Sequence, residues 1–580
     1  MNISSGFCWR SFASVGACLV LAIAGLVGCG GGREDVAASP AAATAAAPGP
    51  AASAPSAGQV APPAAVAQVS VYAASRFAEQ VSFGPTPALV AEIRAKGYAK
   101  WIDEQSAMAP TLMDVSRYQS YVDPAPVSEV QGFPLEIANI AVAAPDQLRS
   151  RVMWSLSQFI VVSYTRIDFA AVVPWINLMQ QQALGQYGEL LYQVSINPSM
   201  GAFLDNAQNR PKSAECQHCA PNENYARELM QLFALGVNRL NADGTPQRDA
   251  RGRLVETYSQ RDVEELARVL TGWRYHPEPP NRPWRNHGNW SKPMAPSVWP
   301  PERDSGAKFV LGKTFPAGQT APKDLRDAID MMMGHPNIAP FVATRLIQHL
   351  VKSNPTPDYV RRISNVFINN GSGVRGDLKA VVKAILLDAE ARAGDNPATA
   401  RSDDGKIREP FLHRVAMWRS MGCSTFPTNY DGGVLEPELQ RPLGADSVFS
   451  FYAPTDRAPG SNLLAPEQTL LISRELQARL SQQEWGRRYN ATTRLHEYQP
   501  YLDAGCPLDA LSASLKRSPA EFVDFLSQRY FRGAMPSTLR SNLEQIARMA
   551  GPPWNKNDPH EGTLRLIGYA LATPYYGASK

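Results

Sequence analysis

The sequence predicts a mainly α-helical protein: one large multi-helix domain with a small inserted β-hairpin and a long loop rich in aromatic residues and proline. Three observations carry this. Apolar residues recur at helical spacing from residue 69 onward, many of these stretches bring their own capping residues, and alternating apolar and polar residues are confined to one short segment. With 44% of 580 residues hydrophobic, the chain has the apolar material for a large core.

The first 28 residues read as a secretory signal, with Arg10 as the only early charge before an uncharged stretch. That stretch ends in Leu26-Val27-Gly28-Cys29, which resembles a bacterial lipobox and makes Cys29 the expected lipidated first residue. Each buried acyl methylene contributes about 0.8 kcal/mol, so several chains would hold the protein on its membrane permanently. Gly30 after the cysteine points, by similarity to that class, to the outer membrane, with the protein on its periplasmic or cell-surface face. In residues 30–68, 16 of 39 residues are Ala and 6 are Pro. Such a segment forms no core, and 29–68 is expected to be a disordered tether reaching on the order of 100 Å when extended.

Residues 69–580 are expected to form a single helical domain, with two lobes as an alternative. In 86–97, Thr86 suits the N-cap, Pro87 the first turn and Gly97 the left-handed stop. Helices are predicted next over 146–162, 185–194, 224–235, 260–271, 323–333, 338–351, 358–369, 377–387, 408–421, 466–481, 519–530, 536–549 and 560–571. Within 237–258, Asn241-Ala242-Asp243-Gly244 and Gly252 mark the turns of the inserted hairpin. Residues 273–301 hold four of the eleven tryptophans and form the long loop. Trp273, Tyr275, Trp284, Trp290 and Trp299 there are candidates for a sugar-stacking platform, against a role in packing the loop itself.

Basic residues number 57 and acidic ones 53, a net charge of +4, which gives no basis for a nucleic-acid partner. Cys8 and Cys18 leave with the signal and Cys29 carries lipid, so Cys216, Cys219, Cys423 and Cys506 remain. An even number in an exported chain favours disulfides, and we expect Cys216–Cys219 and Cys423–Cys506. The alternative for Cys216, His218 and Cys219 is a metal or redox site, since two thiolates and an imidazole are soft ligands. Their surroundings, with Pro211 before and Pro221 after, lack the strand-then-helix setting of a thioredoxin-type pair. No cofactor is predicted. Residues 306–314 imitate a phosphate loop, but the glycine spacing is wrong and Phe309, Val310 and Leu311 would crowd a phosphate.

Two blocks resemble the bacterial family named domain of unknown function 1800. One runs from Pro221-Asn222-Glu223-Asn224-Tyr225-Ala226-Arg227-Glu228-Leu229 to Phe233-Ala234-Leu235-Gly236. The other runs from Tyr258-Ser259-Gln260-Arg261-Asp262-Val263 to Leu270-Thr271-Gly272-Trp273. Shorter stretches, among them Phe83-Gly84-Pro85-Thr86-Pro87 and Leu464-Ala465-Pro466-Glu467, look like the same family, and the resemblance spans about Phe77 to Tyr576. It implies an exported helical protein, often encoded beside a second family related to sulfatases, from which a protein partner is expected. The chain departs from the family twice. Trp154-Ser155-Leu156-Ser157-Gln158-Phe159 stands where many relatives carry a histidine-rich helix, and Arg303-Asp304 stands where they often have His-Asp.

Within the two blocks, Glu223, Arg227, Glu228, Asp262, Glu265 and Arg268 are candidates for one carboxylate and arginine cluster. The spacing of Glu223, Arg227 and Glu228 favours mutual pairing, so Glu228 is expected in a buried ion pair. Read as a functional pocket, the cluster would make the protein a hydrolase of envelope or extracellular glycans; read as structure, it would fix how two helices meet. The reading we carry forward is an interaction or accessory protein of the envelope.

Overall fold

Helix starts in this chain are written locally. Ser70, Thr86, Asp168, Thr320, Thr356 and Asp377 each accept a main-chain N–H with their own side chain, opening the helices Val71–Val81, Pro87–Lys96, Phe169–Gln182, Ala321–Gly334, Pro357–Ile368 and Leu378–Leu387. The computed structural model describes residues 68–116, 127–276, 290–401, 403–427, 440–481, 488–490, 492, 495–549 and 560–579. Those from Ala67 to Lys580 fall in one compact unit. The signal, Cys29 and all but the last residue of the tether lie outside the described residues, as does Trp284.

At the centre runs Gln147–Ser157, buried along its whole length. It packs on Tyr98–Ala107, Val127–Ala143, Phe169–Gln182 and Ile338–Leu350. Ile338–Leu350 lies on Pro357–Ile368, which lies on Leu378–Leu387. Leu508–Arg517, Pro519–Tyr530, Ser537–Met549 and Glu561–Leu571 pack each on the next. The buried helix Pro410–Met421 touches both Val127–Ala143 and Pro519–Tyr530, joining the two groups. The described strands form only two-stranded antiparallel pairs. In one of them Lys406–Ile407 pairs with Ala578–Ser579, so the end of the chain is drawn into the middle of the fold.

The mainly α reading holds, with local corrections. Val127–Ala143 and Phe169–Gln182 were not expected as helices: each carries an interior proline, Pro134 and Pro174, and is apolar around most of its surface, which hides any amphipathic stripe. The expected helix over 224–235 changes type part-way, α over Asn224–Glu228 and π over Leu229–Ala234. The one over 466–481 breaks into a 3-10 turn, Pro466–Leu470, and a helix, Ser473–Ser481. The inserted hairpin over 237–258 is a ribbon pinned at isolated bridges, Asn238 to Glu256, Leu240 to Pro246 and Arg248 to Leu254. A second hairpin, Lys308–Val310 with Lys313–Phe315, occupies the segment that imitates a phosphate loop, and it turns at Leu311 and Gly312, both at positive φ. No helix among the described residues is long and apolar enough to cross a membrane.

Candidate functional site

The six candidates from the sequence do not form one cluster. Arg227 donates to Glu223 at 2.8 Å and to Gln260 at 3.0 Å on an exposed edge between two helices. Asp262 closes the capping box with Ser259, and its other oxygen accepts the Leu311 amide at 2.8 Å. Burial alone would raise its carboxyl, but these donors hold it below the usual range. Glu265 accepts the Phe309 amide at 2.9 Å and pairs with Arg268, which also grips Asp304 at 2.8 Å. These groups clamp the 308–315 hairpin onto the helix Gln260–Val269.

Glu228 corrects the expectation. It is 6% exposed, and among the described residues it forms no ion pair and its Oε2 accepts no hydrogen bond. Burial raises its pKa, with Arg227 only partly opposing, because that guanidinium is turned to Glu223 and Gln260. Glu228 is the last residue before the π-helical segment, whose Phe233 carbonyl accepts the Tyr187 hydroxyl at 2.5 Å.

The cysteines form the two expected disulfides, Cys216–Cys219 and Cys423–Cys506. His218 Nε2 lies 3.6 Å from Cys216 Sγ. The three ligand atoms are close enough to share an ion, but both sulfurs are bonded to each other, which corrects the thiolate reading.

The aromatic loop also divides. Trp273 is a core residue rather than part of a platform, and Trp299 stands exposed. Tyr275 and Trp290 meet edge to face at 5.6 Å, and Trp290 lines a groove of about 490 Å³. Asp114, Asn177, Gln181, Gln193 and Lys292 share that lining, a mixture of one ring, amides and both signs of charge.

The densest buried polar centre was not anticipated. Lys406 Nζ lies 3.0 Å from Glu409 and 3.0 Å from Glu467, all three nearly fully buried. Glu409 also accepts the Gln440 side-chain amide at 2.7 Å. Burial would raise Glu409, but Lys406, His349 and Arg151 outweigh it and bring its pKa down to about 2. Glu467 goes the other way: burial raises it, Lys406 compensates only in part, and Glu409 adds repulsion. His349 is pushed down to about 3 by burial and by the nearby cations, so its imidazole is neutral. Arg151 donates to the His349 carbonyl at 2.6 Å and to Ser155 Oγ at 2.8 Å. Beside this centre Glu79 is held at 2.8 Å by both Arg408 and Arg532.

The sequence profile described as Protein of unknown function (DUF1800) matches residues 76–577. The chain belongs to this family. No curated protein and no solved structure matches it.

Read as a DUF1800 protein, the chain brings its shorter family stretches to the Lys406 centre. Phe83 and Gly84 line a recess there, and Glu467 pairs with Lys406. Gly84 has φ +139°, and a Cβ on it would lie 2.6 Å from Ala416 Cα, so only glycine fits. The helix that departs from the DUF1800 histidine pattern supplies Arg151 and Ser155. At the second departure, Asp304 binds Arg268, while Arg303 and Lys308 both bind buried Asp324. Sequence reading had no route to Lys406, Glu409 and Gln440, since nothing in their spacing marks them as partners.

Proposed function

We propose that this DUF1800 protein is an interaction or accessory protein of the cell envelope, held on the outer membrane by lipid at Cys29. Its partner is a protein of the sulfatase-related family encoded beside relatives, and its contact face is the Trp290 groove. The observation that carries this reading is the open groove itself, whose half-buried ring, amides and mixed charges suit a polar protein surface or a glycan chain.

The alternative, glycan hydrolysis, calls for two carboxyl groups facing one bond. Asp262 and Glu265 are occupied by the amides of Leu311 and Phe309, and Glu228 interacts with Arg227 and Tyr258 rather than with a second carboxylate. Glu409 and Glu467 do share Lys406, but the recess beside them, about 30 Å³, is far too small for a sugar ring.

Photo-crosslinking in cells tests the proposal. A photoreactive residue at exposed Gln181 in the groove should yield a discrete product with the neighbouring-gene protein, and one at exposed Lys379 outside the groove should not. Equal products from both positions, or none from Gln181, would count against it.

A further inference from the structure

The recess beside Lys406 is lined by three buried cations, Arg151, Lys406 and Arg408, and by one carboxylate, Glu79. Lys406 has Glu409 and Glu467 as counter-ions, and Arg408 has Glu79. Arg151 is 2% exposed and has no carboxylate within ion-pair distance among the described residues. Its two terminal nitrogens donate to a hydroxyl and a carbonyl, both neutral, and its Nε–H has no acceptor among the described residues. The Nε–H of Arg408, 5% exposed, has none either. Glu409 acts on Arg151 only from beyond ion-pair distance; a buried guanidinium with no counter-charge in contact is costly, and each orphaned donor adds to that cost.

The two arginines that carry these donors line one recess. Its volume of about 30 Å³ gives room for about two water-sized groups. Half-buried Ile407, Leu412 and Ser579 belong to its lining and give solvent ions a route in. The Ser82 hydroxyl in the wall donates to main-chain carbonyls and accepts the Gly84 N–H, and the Ser579 hydroxyl donates to Glu79; neither carries a charge that could balance Arg151.

From this geometry we propose that the recess is an internal binding site for a small monoanion, of halide or formate size, held between Arg151 and Arg408. The anion supplies Arg151 with a counter-charge in direct contact and both Nε–H groups with an acceptor. This site is separate from the Trp290 groove, and its existence does not depend on the interaction reading.

The test uses the full-length detergent-solubilised protein at constant ionic strength, with thermal melting followed in chloride, in formate and in a bulky sulfonate. We expect a saturable rise of several degrees in chloride, formate or both, and none in the sulfonate; which of the two acts tells halide from carboxylate. Arg151→Met should abolish the anion dependence. Arg149→Met, on the same helix but outside the recess, should melt lower yet keep it. Identical melting in all three anions would overturn the site. If Arg151→Met does not fold, wild-type crystals grown in the anion that raises the melting temperature, with bromide standing in for chloride, decide the matter: density for that anion between Arg151 and Arg408 supports the site, and its absence overturns it.

Discussion

Lys406 Nζ and Glu467 Oε1 lie 3.0 Å apart in an interior from which solvent is almost excluded, with Glu409 at the same distance on the lysine's other side. Removing the lysine leaves uncompensated charge, whereas a neutral isostere of Glu467, whose ionised form burial and Glu409 disfavour, leaves Lys406 still paired with Glu409. Lys406→Met should therefore destabilise the protein by on the order of 3–5 kcal/mol, read as a shift in the denaturant midpoint, while Glu467→Gln should cost much less. The group also sets the acid limb. Glu409 has a folded pKa of about 2 against an ordinary 4.5, so its contribution is complete above the ordinary value and disappears as pH falls from there toward 2. Glu409→Gln should flatten stability across that window; an unchanged acid limb would refute the assignment.

Glu228 has the opposite sign. Its folded pKa is raised by burial, so over the range above the ordinary 4.5 the folded state binds more protons than the unfolded one, and stability falls as pH rises. Glu228→Gln removes that penalty. It should melt at or above wild type at pH 7, with the difference closing as pH drops toward 4.5. A large loss of melting temperature at pH 7 would restore the buried ion pair that the sequence suggests.

The disulfides should differ in worth. Cys423–Cys506 closes a separation of 83 residues and Cys216–Cys219 one of 3. Chain-entropy arguments give about 4–5 kcal/mol for the first and about 2 for the second. Paired Cys→Ser substitution at each site, followed by equilibrium unfolding, should reproduce that order.

Lipidation at Cys29 is a separate expectation. Cys29→Ser should release the protein from the membrane fraction into the soluble one, and mass spectrometry of the wild-type N-terminus should find the acyl chains on Cys29. An unmodified N-terminus beyond Cys29 would refute the anchor.

What could be read from the sequence is what is local. Thr86, Pro87 and Gly97 bound a helix because capping and left-handed stops involve neighbours, and Ser259 with Asp262 forms a capping box for the same reason. Glu223 and Arg227 pair across one helical turn as their spacing requires. Glu228, one residue on, lies outside that rule, because neighbours one apart on an α-helix do not share a face, and its own face is the buried one. Trp273 looked like the other rings of its loop in composition, and its pairing with Pro296 and its place in the core separate it from half-buried Trp290. The Lys406 centre joins residues from Phe83 to Ser579, and no periodicity records contacts of that range.

The most direct test of the interaction reading compares two substitutions in a strain lacking the gene. Trp290→Ala alters the groove and Glu228→Gln neutralises the buried carboxyl, and both variants should be confirmed to fold by their melting profiles. The account predicts that Glu228→Gln restores the wild-type phenotype and Trp290→Ala does not. Restoration by Trp290→Ala with failure of Glu228→Gln would contradict it and point to a catalytic carboxyl instead.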